Sequence, residues 1–497
     1  MTAARKPMAA FLAAWAENDA RKAASYTDTP DNAASLLTSV MTNLKPSRTT
    51  IVNGDGRTEE QGEVRFPFSV AMTVPGAGEV TWRSRAQVTH KSGTWKVEFT
   101  SPMIHPELSP GQTLALKSDT NRAKVLDTHG DPLRADSLVG AVDPVSGKGT
   151  SGLEARYDDI LSGGGKAGKF LVVADRQSGL ALKNLTKTGP SDGRPVRTTI
   201  DPRIQKAAAD AVSGAEQNAA VVAVNPRNGH ILAAVNRPGG LNRALEGRYP
   251  PGSTFKVVTA AALLKGGTRP SDSAACPKFA RVNGQRFENQ NQFELPAGST
   301  FTDVFAQSCN TYFVNARSRL SETDLHDTAQ AFGIGGSWDV GATTYDGSVP
   351  VTTSDNDKAA ATIGQARVQT SPLVMASIAA TVKNGTFNQP MLVPDAVKKK
   401  FSAPTALDSE VTRQLRDLMR ATVTTGSAHA LKDLPGRPHA KTGTAEFGTA
   451  DPPRTHAWMI GYQGDSDLAW AVLLEDGGSG GADAGPVAAR FLRNLAR

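Results

Sequence analysis

Hydrophobic residues follow two different periods along the chain, and the stretches with each period are grouped. In the first hundred residues, a helical spacing around Phe11 and Trp15 precedes three segments in which apolar and polar residues alternate, 64–68, 79–83 and 94–99. Such alternation is typical of strands whose sheet is solvated on one face. We therefore predict a small α+β domain over residues 1–108.

The middle of the chain is richer in turn residues and charges. The Pro/Gly-rich stretch 101–111 has the composition of a linker. A second, looser domain is predicted over 109–215, which contains the glycine triplet Gly163–Gly165. Near its end, Asp201 precedes Pro202 and an alanine-rich stretch, a pattern typical of an N-cap residue followed by the first position of a helix.

From residue 216 onward the apolar runs become continuous. Runs at 219–224 and 230–235 flank a turn rich in Asn, Pro and Gly, and runs at 456–462 and 468–474 lie near the C-terminus. Short continuous apolar runs bounded by turns are typical of buried strands. Ala- and Leu-rich stretches lie between the two pairs. These features predict one α/β domain over 216–497, with a sheet assembled from distant parts of the chain.

Composition narrows the class of protein. The 497 residues carry 55 basic and 48 acidic side chains, a net charge of +7. That charge is mild for the length and includes no dense Lys/Arg block, so nucleic acid is not an expected partner. No apolar run reaches about 18 residues, and no membrane span is predicted. The two cysteines, Cys276 and Cys309, are either small buried residues or a disulfide, and the sequence leaves both open.

The segment most informative about chemistry is Ser253–Lys256, with the sequence Ser-Thr-Phe-Lys. It follows a Pro-Pro-Gly turn and opens an Ala-rich helical stretch. Ser253 is therefore expected at a helix N-terminus, where backbone N–H groups and the helix dipole favour developing negative charge. Lys256 lies three residues further on, on the same helix face. A serine nucleophile needs a base beside it, and a neutral lysine can be that base.

Two further motifs follow in the order expected for one site. Ser308–Asn310 begins 55 residues after Ser253 in an apolar context, and Lys441–Thr444 begins 133 residues after Ser308. The second of these has the pattern of a strand in which Gly443 permits a ligand to approach the backbone closely. Its side chains able to bind a carboxylate are Lys441, Thr442 and Thr444.

Two other stretches match these motifs only by letter. Ser354–Asn356 lies in a polar loop before a predicted helix, where an N-cap role explains it. Lys187–Gly189 is followed by Pro190, which lacks the N–H that a substrate-pairing strand needs. The sequence contains no H-E-x-x-H or C-x-x-C spacing, so neither a metal nor another cofactor is predicted.

The three motifs together resemble those of class B penicillin-binding proteins, the monofunctional DD-transpeptidases of cell-wall synthesis. The resemblance runs from about residue 112 to 497. It extends to four further segments, Gly152–Tyr157, Thr199–Gln205, Gly364-Gln365 and Thr370–Leu373. The N-terminal domain resembles the NTF2-like extension of one subgroup. The chain departs from the family pattern at Ala123, where a glycine is frequent, and at Ala366, which replaces the last glycine of G-Q-G.

The resemblance implies a multidomain α+β protein. Its C-terminal α/β penicillin-binding (serine β-lactamase-like) transpeptidase domain would contain a mostly antiparallel sheet flanked by helices. Ser253 would attack the D-Ala–D-Ala bond of a wall stem peptide, and Lys256 would take its proton. Ser308 would relay a proton to the leaving amine, and Asn310 would hold Lys256 and the substrate amide. The segment Lys441–Thr444 would anchor the terminal carboxylate, and β-lactams would acylate Ser253 as substrate mimics.

The implied partners are peptidoglycan stem peptides, β-lactam antibiotics and other cell-wall synthesis proteins. The implied location is the extracytoplasmic face of a bacterial cell membrane. Because the family's N-terminal membrane anchor is not part of this sequence, we expect that it has been trimmed.

Three alternatives remain open. A DD-carboxypeptidase would use water in place of an amine as acceptor, and the sequence does not separate the two cleanly, although the long N-terminal region favours a transpeptidase. A β-lactamase would need a deacylating glutamate in an E-x-x-L-N pattern. Glu322, only 14 residues after Ser308, does not fit that pattern and is expected on a helix surface. A non-catalytic sensor or wall-assembly scaffold would not need the intact motif set.

Overall fold

The computed structural model describes residues 2–58, 63–75, 77–118, 122–143, 147–163, 169–188, 193–450 and 452–496. Four residues named above, Gly164, Gly165, Gly189 and Pro190, lie outside these ranges. The chain separates into two compact units. The N-terminal unit comprises Met1–Ala123, Asp143–Lys148 and Tyr157–Pro195. The C-terminal unit comprises Lys124–Val142, Gly149–Arg156 and Val196–Arg497.

The helices are named in chain order. They are α1 (Thr2–Ala16), α2 (Ala20–Ser25), α3 (Pro30–Leu44), α4 (Ser101–Ile104), α5 (Asp136–Val139), α6 (Gly152–Arg156), α7 (Asp158–Ser162), α8 (Pro202–Val212), α9 (Arg243–Glu246), α10 (Lys256–Lys265), α11 (Phe301–Ala306), α12 (Asn310–Ala316), α13 (Asp324–Ala331), α14 (Asp355–Thr362), α15 (Pro372–Asn384), α16 (Ser409–Thr424) and α17 (Gly485–Leu495). No helix within the described ranges is long and apolar enough to cross a membrane.

The strands are named in the same way. They are β1 (Arg48–Asn53), β2 (Arg57–Thr58), β3 (Val64–Val74), β4 (Gly78–Lys91), β5 (Thr94–Glu98), β6 (Gln112–Ser118), β7 (Val125–Leu126), β8 (Lys169–Asp175), β9 (Ala181–Thr188), β10 (Val196–Arg197), β11 (Ala219–Val224), β12 (Ile231–Arg237), β13 (Phe279–Val282), β14 (Gln285–Glu288), β15 (Pro438–Phe447), β16 (Arg454–Gln463) and β17 (Ala469–Leu474).

An antiparallel sheet in the order β1-β3-β4-β5, with β2 also paired to β3, forms the centre of the N-terminal unit. Burial alternates along β3, so one face of the sheet packs inward, as the hydrophobic pattern predicts. Phe11 and Trp15 of α1 are fully buried in the same core. The expected α+β arrangement of helix and alternating strands is therefore present.

The stretch 101–111 differs from the linker that its composition suggests. It contains α4, and Met103, Ile104 and Leu108 are buried in the core of the N-terminal unit. Trp82 Nε1 also donates to Ile104 O at 2.8 Å. A proline in the first turn of a helix costs no hydrogen bond, so Pro102 is compatible with this packed turn.

A five-stranded antiparallel sheet in the order β12-β11-β17-β16-β15 organises the C-terminal unit. Its strands come from both ends of this unit, as the apolar runs predict. Helices α8 and α17 contribute Ala208 and Phe491 to the core beneath the sheet, and Asp201 caps α8 by accepting from Arg203 N and Ile204 N. Strand β15 lies at an edge, which leaves one side of its backbone without a strand partner.

Candidate active site

The first motif forms a tight turn at the start of a helix. Residues Gly252–Phe255 form a 3₁₀ turn that continues directly into α10 at Lys256. Gly252 has a φ of +54°, and a Cβ there would lie 2.5 Å from Thr444 O, so only glycine fits. Ser253 is 8% exposed and Lys256 is fully buried. The structure thus places the serine where the sequence predicts it.

Hydrogen bonds through the second motif connect all three motifs. Lys256 Nζ donates to Ser308 O at 2.8 Å and to Asn310 Oδ1 at 2.7 Å. Ser253 Oγ donates to the same Asn310 Oδ1 at 3.2 Å. Lys441 Nζ donates to Ser308 Oγ at 2.7 Å. Five of the predicted site residues therefore form one hydrogen-bonded cluster. Asn310 Oδ1 connects the serine and Lys256 within it.

Burial determines the charge state of the two lysines. Desolvation, together with the nearby Lys441 ammonium, lowers the pKa of Lys256 well below its usual range. Desolvation alone lowers the pKa of Lys441 to about 7. Two amines this close in a water-poor site resist being charged together. Lys256 is therefore the amine expected to be neutral, and so able to accept a proton, at neutral pH.

The backbone of Ser308 is held in an unusual conformation. Its φ is +62°, a left-handed value that non-glycine residues seldom adopt and that is found more often at functional sites. Next to it, Cys309 is the N-cap of α12, and its Sγ accepts from Tyr312 N at 3.4 Å. The same Sγ forms a disulfide with Cys276. The structure thus gives the disulfide of the two options left open by the sequence, and it braces the motif between Ser308 and Asn310.

Asn289 is a residue of the site that sequence reasoning missed. It is 1% exposed. Its Oδ1 accepts from Asn310 N at 2.7 Å and from Thr311 N at 3.1 Å. Its Nδ2 donates to Pro277 O and Phe293 O. Asn289 therefore fixes the start of α12, which carries Asn310. Because it lies in a polar run without periodicity, nothing in the sequence distinguishes it from a surface residue.

The third motif lies on the edge strand β15. Thr442 Oγ1 and Ser427 Oγ are 2.6 Å apart, and Thr444 Oγ1 accepts from Gly480 N at 3.3 Å. Ser427 is a second residue that the motif search missed. A Cβ on Gly443 would lie 2.9 Å from Thr254 N, so the turn that carries Ser253 takes the space beside this glycine. The glycine therefore allows the turn that carries Ser253 to lie close to the strand.

The remaining candidates lie elsewhere. Ser354 is the N-cap of α14 and accepts from Asp357 N at 3.2 Å, as predicted. Lys187 belongs to β9, in the N-terminal unit. Glu322 is exposed, but it precedes α13 rather than lying on it, because that helix begins at Asp324. In the described ranges, no three His, Cys, Asp or Glu side chains are grouped so that they could hold a metal ion.

Comparison with known proteins agrees with this geometry. Residues 219–495 match the penicillin binding protein transpeptidase domain, and residues 3–112 match the NTF2-like N-terminal transpeptidase domain. The peptidoglycan D,D-transpeptidase PbpA of Mycolicibacterium smegmatis is 31% identical over 442 residues, which cover 76% of this chain and 86% of that protein.

Solved structures of penicillin-binding proteins are also similar to this chain. The crystal structure of PBPA from Mycobacterium tuberculosis is 26% identical, with a TM-score of 0.63 over 76% of this chain and 99% of that one. Its penicillin G acyl-enzyme complex has a TM-score of 0.58 at 26% identity, over 76% and 98% of the two chains.

The fold and these matches define a serine acyltransferase. The chain belongs to the penicillin-binding protein transpeptidase family and carries an NTF2-like N-terminal domain. The predicted family, the fold class and the serine-type D,D-transpeptidase activity are thereby confirmed.

Proposed function

We propose that this D,D-transpeptidase cross-links peptidoglycan stem peptides through an acyl-enzyme on Ser253, and that β-lactams acylate the same serine. The observation that carries the proposal is the hydrogen-bonded cluster in which Ser253 and Lys256 share Asn310 Oδ1 while Lys441 binds Ser308. A hydroxyl beside a base with a lowered pKa is the arrangement that nucleophilic catalysis requires.

In the first half of the reaction, Ser253 Oγ bonds to the carbonyl carbon of the D-Ala–D-Ala peptide bond while Lys256 takes its proton. The C–N bond then breaks, and the terminal D-Ala leaves as an amine after receiving a proton through Ser308 Oγ. Lys256 Nζ lies 3.5 Å from Ser308 Oγ, so one small movement connects the two. In the second half, an amine from a neighbouring stem peptide attacks the ester, its proton returns to the cluster, and Ser253 is released.

Substrate binding is assigned to the third motif. The side chains of Lys441, Thr442 and Thr444 would bind the terminal carboxylate, with Gly443 keeping strand and nucleophile turn in contact. The backbone N–H groups of Ser253 and Thr444 would form the oxyanion hole. Loss of one such donor typically costs about 2.7–4 kcal/mol of transition-state stabilisation.

The rest of the chain is assigned supporting roles. We propose the division into an NTF2-like domain (1–108), a dimerisation or linker domain (109–215) and the transpeptidase domain (216–497). The first of these would act as a spacer or as a docking element for other cell-wall synthesis proteins. The substrate is a wall polymer, so the site of action would be the extracytoplasmic face of the bacterial cell membrane.

The test is the intact mass of the protein after incubation with benzylpenicillin. We expect a stable adduct of one penicillin on the wild type and on a Ser409→Ala control, which changes an exposed serine at the start of α16. The Ser253→Ala variant should show none. A labelled Ser253→Ala variant would refute the assignment. Rapid loss of the drug without an adduct would instead indicate a β-lactamase.

A second assay separates the acceptors. The protein is given an acylated peptide ending in D-Ala-D-Ala together with an amino acid of D configuration as the amine. A transpeptidase yields the aminolysis product. Exclusive hydrolysis would indicate a DD-carboxypeptidase.

A further inference from the structure

One side chain occupies the open edge of strand β15. The side-chain amide of Gln365, oriented so that both of its polar atoms are paired, donates to Glu446 O at 3.2 Å and accepts from Glu446 N at 2.8 Å. This is the pattern by which a residue of a neighbouring strand would pair. Gln365 thus takes the place of a strand residue at a single position of the edge.

The contact reveals which way the backbone of β15 faces. In an antiparallel strand, the N–H and C=O groups of alternate residues point to the same side. The pairing of β15 with β16 shows no register shift over its whole length. Because Glu446 faces away from β16, Thr444 and Thr442 face the same open side. Of these two, Thr442 O already accepts from Lys441 Nζ at 3.0 Å. Thr444 therefore lies on the open side between Thr442 and the position that Gln365 fills.

Gln365 is held in place by the nucleophile turn itself. Gly364 O accepts from Gly252 N at 2.9 Å, one residue before Ser253. Gly364 has a φ of +70°, and a Cβ there would lie 2.1 Å from Gly252 O, so the two backbones are in direct contact. Gln365 N also donates to Ala360 O at 3.0 Å, at the end of α14. The amide therefore connects the turn that carries the nucleophile to the strand that binds the substrate.

We propose that Gln365 ends the substrate-pairing edge of β15 at Glu446, so that an extended donor peptide pairs with Thr444 and leaves the strand there. A further pair, with Glu446, would require the peptide to displace two hydrogen bonds of the amide. Gln365 is accordingly a positioning residue. It limits the number of donor residues that form backbone hydrogen bonds with β15. The inference rests on the proposed function, because it takes the donor to be a peptide acylating Ser253.

The test compares short and long donors. The probes are N-acetyl-D-alanyl-D-alanine and an N-acetylated tetrapeptide ending in D-Ala-D-Ala, and kcat/KM is measured from the release of D-Ala. In Gln365→Ala the long peptide gains a pair, and its kcat/KM relative to the short one should rise about fivefold, the effect of one hydrogen bond. Gln365→Glu keeps the acceptor oxygen but loses the donor, so a smaller rise is expected.

Gln369→Ala is the matched control. Gln369 is an exposed glutamine on the same segment, and its side chain accepts from Tyr345 OH at 3.4 Å. The Gln369→Ala variant should leave the ratio of kcat/KM for the long and short peptides unchanged. An unchanged ratio in Gln365→Ala, or an equal change in both variants, would overturn the proposal, because a general loss of stability lowers both substrates together.

Hydrogen exchange separates this proposal from the proposed function. In Gln365→Ala, the amide of Glu446 loses its acceptor, and exchange in the peptide spanning 443–447 should become faster without any substrate. If exchange is unchanged, Gln365 does not hold the edge and the proposal is wrong, whatever the enzyme does. If the wild type releases no D-Ala from either peptide while exchange responds as expected, the proposed substrate is wrong and the edge contact stands.

Discussion

The two units bury different kinds of polar side chain. In the described part of the N-terminal unit these are neutral, namely Thr27, Thr49, Thr89, Thr113 and His105. Burial lowers the pKa of His105 to about 4, so this histidine is uncharged near neutral pH. The C-terminal unit buries Lys256 and Lys441 completely. Within the described ranges, neither lysine has a carboxylate partner.

This difference indicates that the C-terminal unit accepts a loss of stability in order to place two amines in its interior. A buried amine without a counter-charge is destabilising, because the interior solvates the ammonium poorly. Among the described residues, the hydrogen-bond acceptors of Lys256 and Lys441 are hydroxyl, carbonyl and amide oxygens. Such partners suit the proposed roles of a neutral base and of a cation that binds a substrate carboxylate. In the described part of the N-terminal unit no lysine is completely buried, as a packing or docking element would not need one.

The largest effect is expected from removing the base. Lys256→Met should lower the rate of acylation by benzylpenicillin about 10²–10⁴-fold, the usual contribution of a general base. The free energy of unfolding should not fall, because an amine leaves a site that solvates it poorly. The rate is measured from adduct formation by mass spectrometry. Lys265→Met, at the exposed end of the same helix, is the control. Acylation at the wild-type rate in Lys256→Met would show that another group is the base.

The next effect concerns the disulfide. Replacing both cysteines, Cys276→Ala with Cys309→Ala, should destabilise the C-terminal unit by about 3–4 kcal/mol, the range expected for a loop of this size; the two residues are 33 positions apart. Acylation should slow as well, because Cys309 lies between Ser308 and Asn310. Urea unfolding followed by hydrogen exchange resolves the two units. A shift confined to the N-terminal unit would contradict the account.

A smaller effect is the pH dependence of stability. The folded-state pKa of Lys441 is lowered to about 7 from 10.5, so its penalty is complete below about pH 7 and disappears as pH rises to 10.5. Between pH 7 and 9 this lysine should raise the free energy of unfolding by about 2 kcal/mol. Urea unfolding at both pH values should show this rise in the wild type and a smaller rise in Lys441→Met. Equal rises would mean that Lys441 titrates normally.

The smallest effect is expected in the N-terminal core. Phe11→Leu should lower the stability of that unit by about 1 kcal/mol, as for a modest change in core volume. Penicillin acylation should be unaffected. Val52→Ala, at a position that is 62% exposed, is the control for a change outside the core. If Phe11→Leu alters the acylation rate, the N-terminal unit takes part in the chemistry, and the contrast drawn between the two units is wrong.

How much the sequence could predict depended on the range of the interactions. Ser253 was placed correctly because a Pro-Pro-Gly turn and an apolar helix are local signals. The strand at Lys441–Thr444 was also predicted from its local sequence pattern, and it is part of β15. Asn289 and Ser427 could not be found, since their contacts join residues far apart in the chain and leave no periodicity. Gln365 was named only as part of the Gly364-Gln365 resemblance, and its contact with β15 could not be predicted for the same reason.

Two features of the site also lay beyond the sequence. Ser308 has a left-handed backbone conformation, but the residue is not a glycine, so the sequence gives no sign of it. The spacing of Ser253 and Lys256 suggested a direct contact, whereas Ser253 Oγ donates to Asn310 Oδ1.

Outside the site, the packed stretch 101–111 was mistaken for a linker, because prolines and glycines occur in tightly packed turns as well as in linkers.

The most direct test of the central claim is the pH profile of the second-order rate of acylation by benzylpenicillin. Such a profile reports the pKa values of the free enzyme. The account predicts a bell shape. The rate should fall on the acid side as Lys256 takes up a proton, and above about pH 7 as Lys441 loses the charge that binds the carboxylate. A rate that stays constant from pH 5 to 9 would contradict it, because neither buried lysine would then control the reactivity of Ser253.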